Sequence, residues 1–321
     1  MIFAKAAIII VNWNGLKFLK NCLSSVYNQT YKNFQVYFVD NGSIDGSSEF
    51  VMINYPKTKI IQLDKNYGFA KPNNIAIRES FKNKEIEYIV CLNNDTIVDK
   101  NWLKELIKTA QKDEKIGAVG STSLYSNKII QNSGIKLSNT KTFNENTRGE
   151  MSMGFGQKQN YFKNEFEIFA PSGVSALYKK GVLLKTGLFD EDFFAYCEDI
   201  DLGFRINLIG YKSICNPKSK LIHYHSQTGK IASPFKAYYS KRNSFFMAIK
   251  YFSFSDVFLY PFRDLLWNTK SGLRKNKNKS VEELGSKIGL IGLIWIMTRV
   301  YLTVLYYLPK MFIKRWKIKN E

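Results

Sequence analysis

Short, unbroken apolar runs recur through the first hundred residues: Ala7–Val11, Val36–Val39 and Tyr88–Leu92. Strands whose side chains are continuously apolar are buried on both faces, which is the habit of a parallel sheet covered by helices on each side. Between these runs, Leu16, Leu19, Leu23, Val26 and Tyr27 fall at helical spacing, and Trp102, Leu103, Leu106, Ile107 and Ala110 do the same. The alternation predicts an α/β fold with a mostly parallel central sheet flanked by helices. Such sheets bind ligands outside the carboxyl ends of their strands, so the residues just after each run are where chemistry is expected.

After the second run comes Asp40-Asn41-Gly42-Ser43-Ile44-Asp45-Gly46-Ser47, a tight turn whose carboxylate and amides can hydrogen-bond a base or ribose edge. The plainer reading is a turn closed by an Asp or Ser helix cap. Asn66-Tyr67-Gly68-Phe69-Ala70 follows, then Lys71-Pro72-Asn73-Asn74, where a glycine permits close backbone approach to a ligand or merely shapes a loop. Next, Asn93-Asn94-Asp95 puts a hard oxygen ligand at the sheet's carboxyl edge, as a diphosphate-bound divalent metal requires. One carboxylate alone does not make a metal site.

Between Asp190 and Asp201 six of twelve residues are acidic, in a chain whose formal net charge is +20. A helix is expected to begin near Cys197, with Ile200, Phe204 and Leu208 on its inner face and Glu198, Asp199 and Asp201 in its first turn. A carboxylate at a helix start can take a proton from an attacking hydroxyl, which makes Asp199 the candidate base with Glu198 beside it. Asp201 is better explained as an i, i+4 partner of Arg205. The two histidines of the chain, His223 and His225, point the same way if extended, and either suits a metal or diphosphate or has a structural role.

Taken together, Val11-Asn12-Trp13-Asn14-Gly15, Val39–Ser43, Asn66–Ala70, Leu92–Asp95, Phe189-Asp190-Glu191 and Glu198–Asp201 resemble the family 2 glycosyltransferases of the GT-A fold, a Rossmann-like α/β architecture. The likeness covers roughly Ala6 to Asn243, and by pattern leans to the rhamnosyltransferase-like enzymes of cell-surface polysaccharide synthesis. It implies an inverting transfer from a nucleoside-diphosphate sugar, dTDP-rhamnose or a UDP-sugar, to a glycan or polyprenol-linked acceptor, with Mg²⁺ or Mn²⁺ as cofactor. Asp40 would read a pyrimidine, Asn12 and Asn14 would border the nucleotide, and Asn66 and Gly68 would shape the pocket wall. Asn41, Ser43, Lys71, Asn74 and Asn94 complete the expected nucleotide-sugar contacts. Asp95 matches the last acidic position of the family's DxD motif and His223 its metal-binding histidine, with Asn93 and His225 as further candidates. Asp199 matches the base of the ED motif, and Arg242-Asn243 matches a recurring pair of unknown role. Two departures stand out: Asn93 replaces the first DxD carboxylate, and Lys71-Pro72 stands where many relatives carry two glycines.

The charge is uneven. Ser226 to Glu321 holds 18 basic and 5 acidic residues, whereas the preceding 225 residues hold 29 and 22. The expected division is therefore a catalytic domain over 1–228 and a basic, helical, membrane-associating region over 229–321. Gly289 to Leu308 carries one charge, Arg299, and is long enough to span a bilayer core of ~30 Å. Basic flanks at Lys270–Lys279, read as a linker, and at Lys310–Lys319 would put both ends on the cytoplasmic side. An interfacial helix on an anionic membrane surface is preferred, aided by the aromatic stretch Phe245 to Trp267. Its polar stripe is expected at Gly292, Trp295, Arg299, Thr303 and Tyr306, opposite Ile291, Ile294, Met297, Val304 and Leu305. The alternative is a helix packed on the catalytic domain.

The four scattered cysteines argue against a disulfide framework, and the apolar start reads as a buried strand rather than a signal peptide. Ser121 to Phe166 is polar and predicts irregular strands with a mobile loop, with order returning at Ile168 to Tyr178. Basic, aromatic-rich composition also raises nucleic-acid binding, but no recognised signature interleaves the charge, and no such partner is expected. A sugar-nucleotide-binding protein without turnover is a further alternative, disfavoured by the acidic cluster.

Overall fold

Ala6 to Ile10 are wholly buried along β1 (Lys5–Asn12), as a strand covered on both faces must be. The computed structural model describes residues 4–137, 152–224, 233–260 and 279–320. His225, the expected boundary at 228/229, the Lys270–Lys279 linker up to residue 278 and parts of the Ser121–Phe166 and Phe245–Trp267 stretches lie outside the described residues. The chain divides into two units, one comprising Met1–Leu137, Met151–Phe194 and Glu198–His225, the other Ser138–Glu150, Ala195–Cys197 and Ser226–Glu321.

In the first unit β1 lies between β2 (Phe34–Asp40) and β4 (Ile86–Asn93), parallel to both, with β3 (Lys59–Gln62) parallel outside β2. β9 (Ser175–Lys179) then runs antiparallel between β4 and β6 (Ile116–Leu124), so the sheet is mixed beyond the parallel block. β10 (Lys212–His223) pairs parallel with β6, and β5 (Thr96–Val98) pairs antiparallel with β10, giving the order β3-β2-β1-β4-β9-β6-β10-β5. The polar middle of the chain supplies only short strands, β7 (Ile130–Asn132) on β6 and β8 (Phe166–Ile168) on β10.

The period of two along β1 sorts its side chains into two cores. Ala6, Ile8 and Ile10 join Leu19, Leu23 and Val26 of α1 (Leu16–Tyr27) and Trp102, Leu103 and Leu106 of α4 (Trp102–Ala110). Ala7 and Ile9 join Ala76 and Ile77 of α3 (Ala70–Phe81), Val182 and Leu183 of α5 (Lys180–Thr186), and Leu202 and Ile206 of α6 (Glu198–Leu208). Each buried isoleucine contributes about 1.5–3 kcal/mol, so β1 anchors both layers at once. The remaining helix of this unit's first half, α2 (Ser47–Asn54), follows the Asp40 turn.

Two local expectations are corrected. Ile200 is buried as expected, but Leu208 is 60% exposed while Leu202 and Ile206 are wholly buried, so the inner face of α6 is rotated from the expected Ile200-Phe204-Leu208 stripe. Gly203 sets that rotation: a Cβ there would come within 2.5 Å of the Ala170 side chain, so this face lies hard against Ala170 and Leu208 turns outward. Lys71 to Asn74 form the first turn of α3 rather than a loop, and Pro72 is tolerated because a first-turn N–H has no helical partner to lose.

In the second unit α7 (Pro234–Tyr251) starts with Ser233 capping Lys236 and proline at its first position. A short helix occupies 254–260, and α8 (Lys279–Asn320) is broken at Gly289, where φ is +66°, and contains Pro309. Among the described residues of α8, Ile296, Val300, Val304 and Met311 are the buried apolar ones. The same helix meets α7 through Thr303 to the Tyr238 hydroxyl (2.9 Å), Tyr301 and Tyr307 against Phe245 and Phe246, and Arg315 donating to the Ile249 carbonyl at 2.7 Å. Ile291, Ile294, Trp295, Leu302, Leu305, Tyr306, Ile313 and Trp316 are exposed and share the opposite face. The expected stripe is therefore wrong in two respects: Trp295 and Tyr306 belong with Ile291, Ile294 and Leu305, and Val304 faces inward. The cause is α7, whose aromatic rings select the residues that pack.

Candidate active site

The carboxyl ends of β1 and β2 carry Asn12 and Asp40 side by side in register. Asp40 Oδ1 accepts from the Ser43 amide at 2.9 Å, its Oδ2 accepts from the Ser48 hydroxyl, and Ser43 Oγ in turn accepts from Asn12 Nδ2 at 3.2 Å. Asn12 Oδ1 accepts from Asn94 Nδ2 at 2.6 Å. A continuous hydrogen-bonded chain therefore runs from Asp40 across β1 to the residue preceding Asp95. Asn14, at φ +49°, closes the same turn by accepting from the Ile44 amide at 2.9 Å while its own amide donates to Ser43.

Asn41 and Asn66 build the neighbouring loop. Asn41 donates to Asn66 Oδ1 at 3.0 Å and to the Gly68 carbonyl at 2.9 Å, and accepts from the Tyr67 amide. Gly68 takes φ +82°, with the Phe194 carbonyl so close that a Cβ would lie 2.3 Å from it. That carbonyl accepts from the Phe69 and Ala70 amides at the start of α3. Asn74 serves the scaffold too: it is buried, donates to the Phe189 carbonyl and Glu191, and accepts from the Phe189 amide. The amides of Asn41 and Asn74, both expected at the ligand, tie neighbouring loops together. Lys71 Nζ lies 3.9 Å from the centre of the Tyr67 ring.

At the end of β4, the Asn93 amide donates to the Val174 carbonyl at 3.0 Å. One residue earlier, the Gly173 amide donates to Asp199 Oδ2 at 2.9 Å, and the other oxygen of Asp199 accepts from Ile200. Asp199 is thus fastened to the same strand edge as Asp95 although 104 positions separate them. Glu198 is 5% exposed and its Oε2 has no hydrogen-bond partner. Burial, and then the charge of Asp199, push its carboxyl well above the ordinary glutamate range. The Tyr178 hydroxyl, also without a partner, is pushed up by burial and by the charges of Cys91, Asp199 and Glu198. Asp201 pairs with Arg205 at 2.8 Å as its spacing predicts.

Asp95 and His223 face one another, with Oδ1 and Nε2 3.2 Å apart, at 8% and 6% exposure. A hard oxygen and an imidazole nitrogen at one point suit Mn²⁺ or Mg²⁺ completed by diphosphate oxygens and water. Among the described residues no group of three or more protein ligands exists. Asn93 is half-buried beside them, its carbonyl accepting from Thr96 at 2.7 Å. Arg242 lies in the second unit, its guanidinium 4.7 Å from the Tyr239 ring centre, while Asn243 donates to the Ala195 and Tyr196 carbonyls. Sequence reasoning missed Ser48, Gly173, Tyr178 and Gln131, the last of which bonds His223 from 92 positions away. Gly173 and Gln131 bond residues 26 and 92 positions away, so no local spacing marks them.

Residues 7–187 match Glycosyl transferase family 2. The O-antigen biosynthesis protein RfbC of Myxococcus xanthus is 28% identical over 230 residues, covering 69% of this chain and 17% of that protein. The poly-beta-1,6-N-acetyl-D-glucosamine synthase of Staphylococcus epidermidis is 26% identical over 214 residues, 66% of this chain and 48% of its own. The chain thus spans less than half the length of either relative. Among solved structures, the mannosyltransferase PcManGT of Pyrobaculum calidifontis, in complex with GDP-Man and Mn²⁺, superposes over 98% of this chain and 84% of that one, with TM-score 0.53 and 15% identity. GalNAc-T7 with UDP, GalNAc and Mn²⁺ covers 96% and 58%, with TM-score 0.62 and 14% identity. These likenesses establish the GT-A fold, and the match over 7–187 establishes the family: the chain belongs to glycosyl transferase family 2.

Proposed function

We propose that this enzyme transfers a sugar, with inversion, from a nucleoside-diphosphate sugar to a glycan or polyprenol-linked acceptor in cell-surface polysaccharide synthesis. The observation that carries the reading is the bonded edge linking Asp40, Asn12 and Asn94 to the Asp95–His223 pair and, through Val174 and Gly173, to Asp199. Asp40 and its turn receive the base and ribose. Asp95 and His223 would hold a divalent metal, which when bound would supply positive charge to the leaving diphosphate. Asp199, its orientation fixed by two backbone amides, takes the proton of the acceptor hydroxyl. Glu198, whose carboxyl burial pushes well above the ordinary glutamate range, stands beside that base.

The relatives and neighbours support a polysaccharide role and a nucleotide-bound donor, and dTDP-rhamnose or a UDP-sugar is the donor class favoured. Incubating the protein with a panel of nucleotide sugars and Mn²⁺, and measuring nucleoside diphosphate release, tests the reading. Release that depends on both sugar nucleotide and metal supports it, and no release with any donor contradicts it.

The second unit lies on the cytoplasmic face of a membrane, its exposed face dipping among acyl chains. Ile291–Ile318 is apolar and long enough to cross a bilayer. Crossing is disfavoured because α8 packs along α7, and α7 carries Lys236, Lys241, Arg242 and Lys250. Taking that pair into hydrocarbon would bury several charges, each costing about 2.5–3.5 kcal/mol. Lying flat avoids this: the Trp295–Trp316 face enters the lipid while Lys310, Lys314 and Lys317 meet anionic headgroups. Arg299, 4.8 Å from the Tyr238 ring centre, is held toward α7.

A further inference from the structure

Gln131, in β7, is 6% exposed and meets His223 twice. Its Nε2 donates to the backbone carbonyl of His223 at 2.7 Å, and its Oε1 lies 2.8 Å from His223 Nδ1. A carbonyl oxygen can only accept, so the nitrogen of the Gln131 amide must be the atom facing it. That single contact fixes which way the amide points. The atom turned toward Nδ1 is then an oxygen, which also only accepts, so Nδ1 carries the ring hydrogen. Nε2, across the ring, is the nitrogen that faces Asp95 Oδ1 at 3.2 Å.

We infer that Gln131 is a positioning residue that holds His223 as the Nδ1–H tautomer, so that Nε2 is the atom offered, beside Asp95, to the divalent metal. The inference rests on the metal reading proposed above, but its first half concerns the apoprotein alone. An imidazole that binds a metal through one nitrogen is held by a hydrogen bond at the other, and that bond sets both tautomer and ring orientation. Here the bond comes from a neutral amide, which fixes the ring without adding a negative charge. The Asp95 oxygen and Nε2 meet at 3.2 Å in a nearly dry setting, an arrangement that a shared proton satisfies and that a divalent cation taking the proton's place would satisfy too. A glutamine that only filled space would need neither bond, and an apolar side chain of the same volume would serve.

The test uses ¹⁵N-histidine-labelled full-length protein, which has two histidines to assign, with Mn²⁺ uptake measured in the presence of UDP and, separately, GDP. Wild type is expected to show a protonated Nδ1 for His223 in metal-free protein. Gln131→Met should mix the tautomers and weaken Mn²⁺ uptake about tenfold or more, while Gln131→Glu, which still accepts from Nδ1, should restore the tautomer. Asp95→Asn should weaken uptake and leave the tautomer alone. A wild-type His223 protonated at Nε2 instead overturns the inference without any variant. Gln131→Met protein equal to wild type in both tautomer and uptake overturns it as well. Wild type with the expected tautomer but no Mn²⁺ uptake with either nucleotide defeats the metal reading, and with it the purpose assigned to Gln131, while leaving the tautomer assignment standing.

Discussion

The Gly173 amide donates to Asp199 Oδ2 at 2.9 Å, so the first turn of α6 is tied to the segment that enters β9. Because Ile200 binds the other oxygen, the carboxylate is fixed in orientation before any substrate arrives. Asp199→Asn keeps the shape and one acceptor oxygen but abolishes proton acceptance. The expected result is a kcat lower by about 10²–10⁴-fold, with donor KM little changed and a melting curve like that of wild type. Steady-state kinetics beside a thermal melt checks this, and a kcat within threefold of wild type excludes Asp199 as the base.

Glu198 behaves oppositely. A glutamine mimics a protonated carboxyl, so Glu198→Gln is expected to keep kcat within about tenfold of wild type, far above Asp199→Asn. Its stability difference also has a predictable sign. A carboxyl raised by burial binds more protons folded than unfolded between the ordinary glutamate value of 4.5 and its raised value. The wild type therefore loses stability as pH climbs through that window, by at most about 1.4 kcal/mol per pH unit for one group. Glu198→Gln lacks that loss, so its advantage should widen upward from pH 4.5 and then level off. Urea denaturation at a series of pH values measures it, and a constant difference contradicts the burial argument.

Gly68 is needed for backbone reasons. Alanine there must adopt φ +82° and place its Cβ 2.3 Å from the Phe194 carbonyl, which caps the start of α3. The left-handed conformation and the forced shift together should destabilise the first unit by at least about 2 kcal/mol. Chemical denaturation of Gly68→Ala checks this; a loss below 0.5 kcal/mol (roughly the scatter of surface substitutions) would show that the loop yields freely.

The exposed face of α8 makes a separate claim. Leu302→Glu with Trp316→Glu places charge on a surface that packs against nothing described, so folding should be unaffected. Partitioning onto vesicles containing anionic lipid should fall at least tenfold, while release of nucleoside diphosphate in detergent stays near wild type. Flotation with anionic and with neutral vesicles separates insertion from charge attraction, and unchanged flotation of the double variant contradicts an interfacial role.

Much of this architecture was legible in the chain. The apolar runs became β1, β2 and β4, and the helical spacings became α1 and α4, because periodicity records burial directly. The Asp201–Arg205 pair was legible because its spacing is local. The antiparallel β9 was not, since an apolar run carries no direction, and its placement depends on partners about sixty and ninety residues away in the chain. Nor were the partners of the asparagines: Asn41 also binds the Gly68 carbonyl and Asn74 the Phe189 carbonyl, contacts that loop packing decides. On α8, polarity at helical spacing suggested the wrong stripe, because Tyr238, Phe245 and Phe246 on another helix decide which side packs.

Mn²⁺-stimulated release of nucleoside diphosphate from a nucleotide sugar, compared among wild type, Asp40→Asn, Asp95→Asn and Asp199→Asn, tests most directly whether the bonded edge works as one site. The account predicts three distinct losses: donor affinity for Asp40, metal stimulation for Asp95, and turnover with donor affinity intact for Asp199. Three folded variants that release nucleoside diphosphate at the wild-type rate, with wild-type metal dependence, would contradict it.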